Sequence, residues 1–177
     1  MRKLFTLLTT LLILLFLGHA VMGGFMLLGI STRPAAFIGC LTGILAVIHA
    51  LWGCRYWLRT LMRTHSLWYS RANRLFWLRR LSGIAIILLG IFHWQVFGTM
   101  QGAQYILYEF TVCKLITQLL FVSAVCIHIG LNIRPLLLAL GTRNIARHTQ
   151  DMYSVLFIFY LFIIGSLIYY YVGWQSL

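Results

Sequence analysis

The sequence predicts an all-α membrane protein that crosses the bilayer five times as a single domain over residues 1–177. Apolar residues make up 62% of the chain and charged residues 9%, with a mean hydropathy of +0.92. An ordinary globular domain has about 45–50% apolar and about 25% charged residues. The apolar residues also fall into five runs, each of about 20 residues or more, the length that spans a bilayer. These observations exclude a soluble enzyme and a disordered chain.

The five predicted helices cover residues 4–30, 35–58, 81–100, 111–140 and 152–174. The first run begins like a secretory signal peptide, with Arg2 and Lys3 before an apolar stretch. Because that stretch continues to Ile30, we expect a retained first helix. A turn at 31–34, a basic segment at 59–80, a polar loop at 101–110 and a basic loop at 141–151 connect the helices. The first four helices are expected to form a bundle, with the fifth packed alongside.

The positive charges indicate an orientation in the membrane. Of the fourteen Lys and Arg residues, only Arg33 and Lys114 fall on the side opposite the N-terminus. The positive-inside rule therefore predicts a cytoplasmic N-terminus and an outer C-terminus. In the 59–80 segment, arginines alternate with aromatic residues, which is typical of side chains anchored at the membrane interface. A few of these residues are alternatively available to a cytosolic partner or to anionic lipid, and we expect no nucleic-acid partner.

The acidic residues and the cysteines exclude two kinds of chemistry. Glu109 and Asp151 are the only acidic residues, too few for catalysis by paired carboxylates. The four cysteines form no C-x-x-C pair, and all lie within predicted helices: Cys40, Cys54, Cys113 and Cys126. This spacing argues against a disulfide oxidase.

The histidines point to a function. His19, His49, His93 and His128 fall one each in the first four predicted helices, and the fifth helix has none. One histidine within a helix is most often a packing residue, but ionisable groups in a bilayer are costly and usually functional. Since successive helices alternate in direction, His19 and His93 share the outer half of the membrane. His49 and His128 share the inner half, so the sequence predicts two sites with two histidines each.

Haem is the metal group that suits such sites. Structural and catalytic zinc and copper sites generally use three or four protein ligands, whereas haem iron takes two axial ligands in an apolar slot between helices. Small residues next to the histidines would let a flat macrocycle approach the backbone, although they also help membrane helices to pack. These residues are Gly23, Thr42, Ala46, Gly53, Gly90 and Ala124.

Five helices with one histidine in each of the first four resemble the dihaem cytochrome b anchor of succinate:quinone and quinol:fumarate oxidoreductases. The run HIGLNIRPLL after residue 127 is loosely similar to that family as well. The resemblance implies two b haems, one on His19 and His93 and one on His49 and His128. It also implies a flavoprotein and an iron–sulfur subunit on the cytoplasmic side of a bacterial inner membrane. Dicarboxylate chemistry would lie on those partners, and this chain would be the subunit that exchanges electrons with quinone.

The chain departs from the family pattern in two respects. It is short, and Cys126 stands two residues before the fourth histidine, where some members have a proton-conducting glutamate. A proton path through a membrane glutamate is therefore not expected.

A quinone site is predicted near the outer ends of the helices. Gln104, Glu109 and Lys114, together with Tyr105 and Arg33, are the polar residues expected there. They offer hydrogen-bond donors and a proton acceptor to a quinone. Alternatively, Arg33 and Lys114 bind haem propionates or extend to the membrane surface.

Two other functions stay open at this point. One is a dihaem anchor of a different quinone-linked enzyme, such as a hydrogenase or a formate dehydrogenase. The other is a haem-free transporter or assembly protein whose histidines bind substrate or only pack.

Overall fold

The computed structural model describes residues 2–31, 36–64, 74–94, 96–101 and 104–176. It confirms the predicted fold class, because five of its helices are long and apolar enough to cross a membrane. They are α1 (Arg2–Leu27), α2 (Ala36–Thr64), α3 (Arg74–His93), α4 (Val112–Ala139) and α5 (Ile145–Gln175). A two-stranded antiparallel hairpin, β1 (Gly98–Gln101) and β2 (Gln104–Leu107), connects α3 to α4.

Three helices extend further into the basic segments than the sequence predicts. α3 begins at Arg74 rather than at 81, α2 continues to Thr64 rather than ending at 58, and α5 begins at Ile145 rather than at 152. Arginine is a good helix former. Its charge marks where a helix leaves the bilayer and not where the helix ends.

The opposite end of α3 is shorter than predicted. The helix ends at His93 and not at 100, because the chain enters the hairpin there, with Gly98 opposite Leu107. Residues 94–100 continue the apolar run, and apolar content alone does not separate a helix end from a short strand.

The helices pack as two pairs joined by α5. α1 packs on α2 and α3 on α4, while α5 packs on both α4 and α1. α2 and α3 are not among the closely packed pairs in the described part of the chain. The fifth helix is therefore part of the core, rather than an addition to four others. Its buried residues are Phe159, Ile163, Ser166 and Leu167.

Aromatic residues close the end of the molecule that carries the hairpin, here called the hairpin end. Phe110 is fully buried (0% exposed) and stacks on Phe97 with ring centroids 5.5 Å apart. Tyr170 near the end of α5 packs its ring against Phe110 at 5.1 Å. These contacts fix the segment between α3 and α4 against α5.

The other end, here called the arginine-rich end, carries Arg55, Arg59, Arg74, Arg79 and Arg80. Pro135 lies inside α4 and has no N–H, so the carbonyl of Leu131 has no partner one turn later in its helix. Arg79 of α3 supplies that partner, because its Nε donates to the Leu131 carbonyl at 3.0 Å. α3 and α4 are thereby joined one turn beyond His128.

Candidate functional site

The four helical histidines meet in two pairs. His19 of α1 faces His93 of α3, with ring centroids 6.1 Å apart and an angle of 86° between the ring planes. His49 of α2 faces His128 of α4, with centroids 6.5 Å apart and an angle of 90°. Each pair therefore bridges the gap between the α1–α2 pair and the α3–α4 pair. These are the two pairs that the helix depths predict.

The two pairs lie at different levels of the bundle. His93 contacts Gln118 of α4, and His128 follows Gln118 by ten residues on the same helix. At 1.5 Å per residue, the two levels are about 15 Å apart along α4. The His19–His93 pair lies toward the hairpin end and the His49–His128 pair toward the arginine-rich end.

Hydroxyl groups contact Nδ1 of both histidines nearer the arginine-rich end. Ser82 Oγ donates to the Arg79 carbonyl at 3.1 Å and lies 3.0 Å from His128 Nδ1. A hydroxyl that donates to a backbone carbonyl is free to accept from Nδ1–H. Thr9 is placed in the same way for His49, since it donates to the Phe5 carbonyl at 2.8 Å and lies 3.3 Å from Nδ1. A ring that donates from Nδ1 keeps the lone pair on Nε2, the nitrogen that binds a metal.

An amide fixes the third ring. His93 Nδ1 lies 2.6 Å from Oε1 of Gln118, an atom that only accepts. His93 therefore also presents Nε2 with its lone pair. In metal sites, histidine ligands almost always donate their other ring N–H in this way.

Glycines and aromatic rings hold the imidazoles in place. A Cβ built on Gly39 would lie 2.7 Å from Cε1 of His19, and one on Gly83 would lie 3.4 Å from Cε1 of His128. Each of these glycines belongs to the neighbouring helix. His49 stacks on Phe5 at 5.0 Å and His93 on Phe121 at 4.7 Å. The rings are thus supported on several sides.

The sequence does not single out these supporting residues. It points instead to Gly23 and Gly53, where an added Cβ would meet nothing within 4 Å. Gly39 and Gly83 belong to helices other than those of the histidines they contact, so helical spacing cannot find them. Gln118 has a visible signal, because it is an amide in the middle of an apolar run.

The spacing of the rings fits one metal ion between each pair. Two imidazoles that bind the same ion through nitrogens at about 2.0 Å have their ring centroids about 6 Å apart. The observed separations are 6.1 and 6.5 Å. Within the described ranges, no group of three or more His, Cys, Asp or Glu side chains could hold a metal ion. Each pair therefore brings two imidazoles together.

Unpaired hydrogen-bond donors are present at the arginine-rich end. Trp57 Nε1, Trp77 Nε1 and Arg80 Nε are buried and have no hydrogen-bond partner among the described residues. The two indole rings are in contact, with centroids 6.4 Å apart, and Arg80 follows Trp77 by three residues on α3. Buried donors without acceptors are costly, and an acidic group bound between α2 and α3 at this end would satisfy them.

The predicted quinone residues are described only in part. Lys114 Nζ donates to the backbone carbonyl of Glu109 at 2.6 Å and lies 5.5 Å from the centre of the Tyr108 ring. Glu109 itself is exposed at the hairpin end. The backbone of Gln104 belongs to β2, but its side chain, like those of Tyr105 and Arg33, lies outside the described residues.

The remaining histidines and the cysteines form no site in the described part of the chain. His148 lies 3.8 Å from Asp151 at the surface, and His65 falls outside the described residues. The four cysteines are free thiols.

Comparisons with known proteins add no relative: no family model, no curated protein and no solved structure matches this chain.

Proposed function

We propose that this chain is a dihaem cytochrome b that anchors a soluble oxidoreductase to a membrane and exchanges electrons with quinone. The observation that carries the proposal is the pair of facing histidines at each of two levels, with ring separations of 6.1 and 6.5 Å. When bound, the two b haems supply one-electron redox chemistry at both levels.

The chain's own residues suit this cofactor. His19 and His93 would hold one haem iron, and His49 and His128 the other. Both histidine pairs lie between the α1–α2 pair and the α3–α4 pair, where a flat group would have to insert, and α5 packs on α1 and α4 along one side. At the arginine-rich end, Trp57, Trp77 and Arg80 would hold the acidic side groups of the nearer haem.

The resemblance to succinate:quinone and quinol:fumarate oxidoreductases supports the choice of partners. A flavoprotein and an iron–sulfur subunit would dock on the arginine-rich end, which would face the cytoplasm of a bacterium. Quinone would react at the hairpin end, near Gln104, Glu109 and Lys114. Electrons would then pass between the two ends through both haem levels.

A reduced-minus-oxidised absorption spectrum of the purified chain tests the proposal. We expect b-type bands with two components. His19→Ala and His93→Ala should each remove one component, and His49→Ala and His128→Ala the other. Each ligand is needed because an iron with one axial histidine loses half of its protein anchorage.

Two results would contradict the proposal. A chain without b-type bands, when produced in haem-replete cells, is not a cytochrome. If His19→Ala and His49→Ala remove the same component, the two pairs do not form separate sites. The surface variant His148→Ala is the matched control and should keep both components.

A further inference from the structure

We infer that Gln118 is a positioning residue that sets the reduction potential of the His19–His93 centre through the hydrogen bond it accepts from His93. The inference rests on the proposed function and adds a residue that no histidine pattern identifies. Gln118 is only 1% exposed and lies about two turns into the membrane-spanning helix Val112–Ala139.

The side-chain oxygen of Gln118 explains why a polar residue stands at this buried position. Oε1 lies 2.6 Å from His93 Nδ1, the shortest of the three hydrogen bonds that fix a histidine tautomer here. The amide nitrogen of Gln118 is buried and has no hydrogen-bond partner in the part of the chain that the structure describes. An apolar side chain would avoid that cost, so the oxygen must offset it.

This bond acts on the other nitrogen of the ring. A strong acceptor at Nδ1–H increases the basicity of Nε2, and a more basic axial ligand stabilises the oxidised form of the iron. The low dielectric around the buried amide of Gln118 strengthens the effect. Gln118 therefore lowers the potential of the His19–His93 centre and not that of the His49–His128 centre, whose rings bond to Thr9 and Ser82.

The test is a redox titration of both spectral components in Gln118→Leu and Gln118→Glu. Leucine removes the acceptor, and we expect the reduction equilibrium of the His19–His93 centre to shift about tenfold toward the reduced form, or about 59 mV for one electron. Glutamate keeps an acceptor oxygen at the same place, so the potential should equal that of the wild type or lie below it. The other component should titrate unchanged in both variants.

Ser123→Ala is the matched control. This hydroxyl is also on α4 and bonds to the Leu119 carbonyl and to Tyr160, not to a histidine. The control should leave both potentials unchanged.

The failures of the two proposals are distinguishable. A wild-type chain without b-type bands overturns the proposed function. Two b-type components with the same potentials in Gln118→Leu as in the wild type overturn only the role of Gln118, as does an upward shift in Gln118→Glu. If Gln118→Leu loses the haem of the His19–His93 centre altogether, Gln118→Glu becomes the test. A Gln118→Glu variant that also loses this haem overturns the inference.

Discussion

At the scale of single residues, the side chains that contact each histidine indicate which ring nitrogen is available to a metal. Ser82 and Thr9 each contact both a backbone carbonyl and an imidazole Nδ1, so a hydroxyl that donates to its carbonyl is free to accept from the imidazole. Gln118 can only accept through the oxygen that faces His93. Three polar side chains on three helices thus select the same tautomer, and this is the tautomer that binds a metal through Nε2.

Glu109 provides a prediction at this scale. It is an exposed acidic side chain at the hairpin end, and its backbone carbonyl accepts from Lys114. Glu109→Gln keeps the shape but removes proton acceptance, so quinone turnover by the assembled complex should fall by about 100-fold. The measurement is quinone-dependent activity, compared with partner activity toward a soluble dye.

Haem content and dye-linked activity should stay at the wild-type level in this variant. Asp151→Asn is the matched control, since Asp151 lies on the surface near the start of α5. A Glu109→Gln complex that reduces or oxidises quinone at the wild-type rate would show that Glu109 is only a surface residue. A quinone bound beside Trp52, Arg55 and Tyr56 would place the site at the arginine-rich end instead.

At the scale of secondary-structure elements, single residues in one helix make room or provide a hydrogen-bond partner for the neighbouring helix. Pro135 leaves a carbonyl of α4 unpaired, and Arg79 of α3 bonds to it. A Cβ on Gly24 of α1 would lie 2.6 Å from the Phe162 ring of α5, so the absence of a side chain lets these two helices approach closely. In the same way, the absence of a side chain at Gly39 of α2 leaves room for the His19 ring of α1, which belongs to the candidate site.

Gly39→Ala is the prediction for this scale. The new methyl group would lie 2.7 Å from His19 Cε1, closer than real Cβ contacts allow, and would push the ring away from His93. We expect loss of the spectral component assigned to His19 and His93, about half of the b-type absorbance, with the other component retained. A difference spectrum of the purified variant measures this.

Gly165→Ala serves as the control for adding a methyl group to a membrane helix, because nothing lies within 4 Å of its added Cβ. Gly39→Ala with both components at wild-type intensity would mean that His19 tolerates displacement and is not an axial ligand.

At the scale of the whole molecule, two helix pairs face each other and α5 joins them along one side. Both histidine pairs cross the gap, and in both the ring planes are nearly perpendicular, at 86° and 90°. Stacking on Phe5 and on Phe121 fixes one ring of each pair. The protein thus restrains one ring of each pair, and we expect the ring angles to persist in the proposed dihaem form.

Perpendicular ring planes predict a spectroscopic signature. If the proposed haems bind between these rings, imidazoles held at right angles would leave two d orbitals of low-spin ferric iron nearly equal in energy, and the electron paramagnetic resonance signal would be strongly anisotropic. Parallel rings give a rhombic signal instead. We expect the anisotropic form at both centres of the oxidised protein, recorded at low temperature. A rhombic signal from either centre would contradict the ring geometry of that pair.

The sequence alone determines the fold class, the number of membrane helices and the pairing of the histidines. Long apolar runs leave a chain few alternatives in a bilayer, and the alternating direction of helices places His19 level with His93 and His49 level with His128. The supporting residues depend on contacts between helices, which no periodicity within one helix encodes. Only the tertiary structure decides that Gly39 and Gly83 make room for imidazoles, that α5 joins the two helix pairs, and that Gln118 meets His93. These facts depend on how each helix is rotated about its axis, and that rotation is set by the packing of all five.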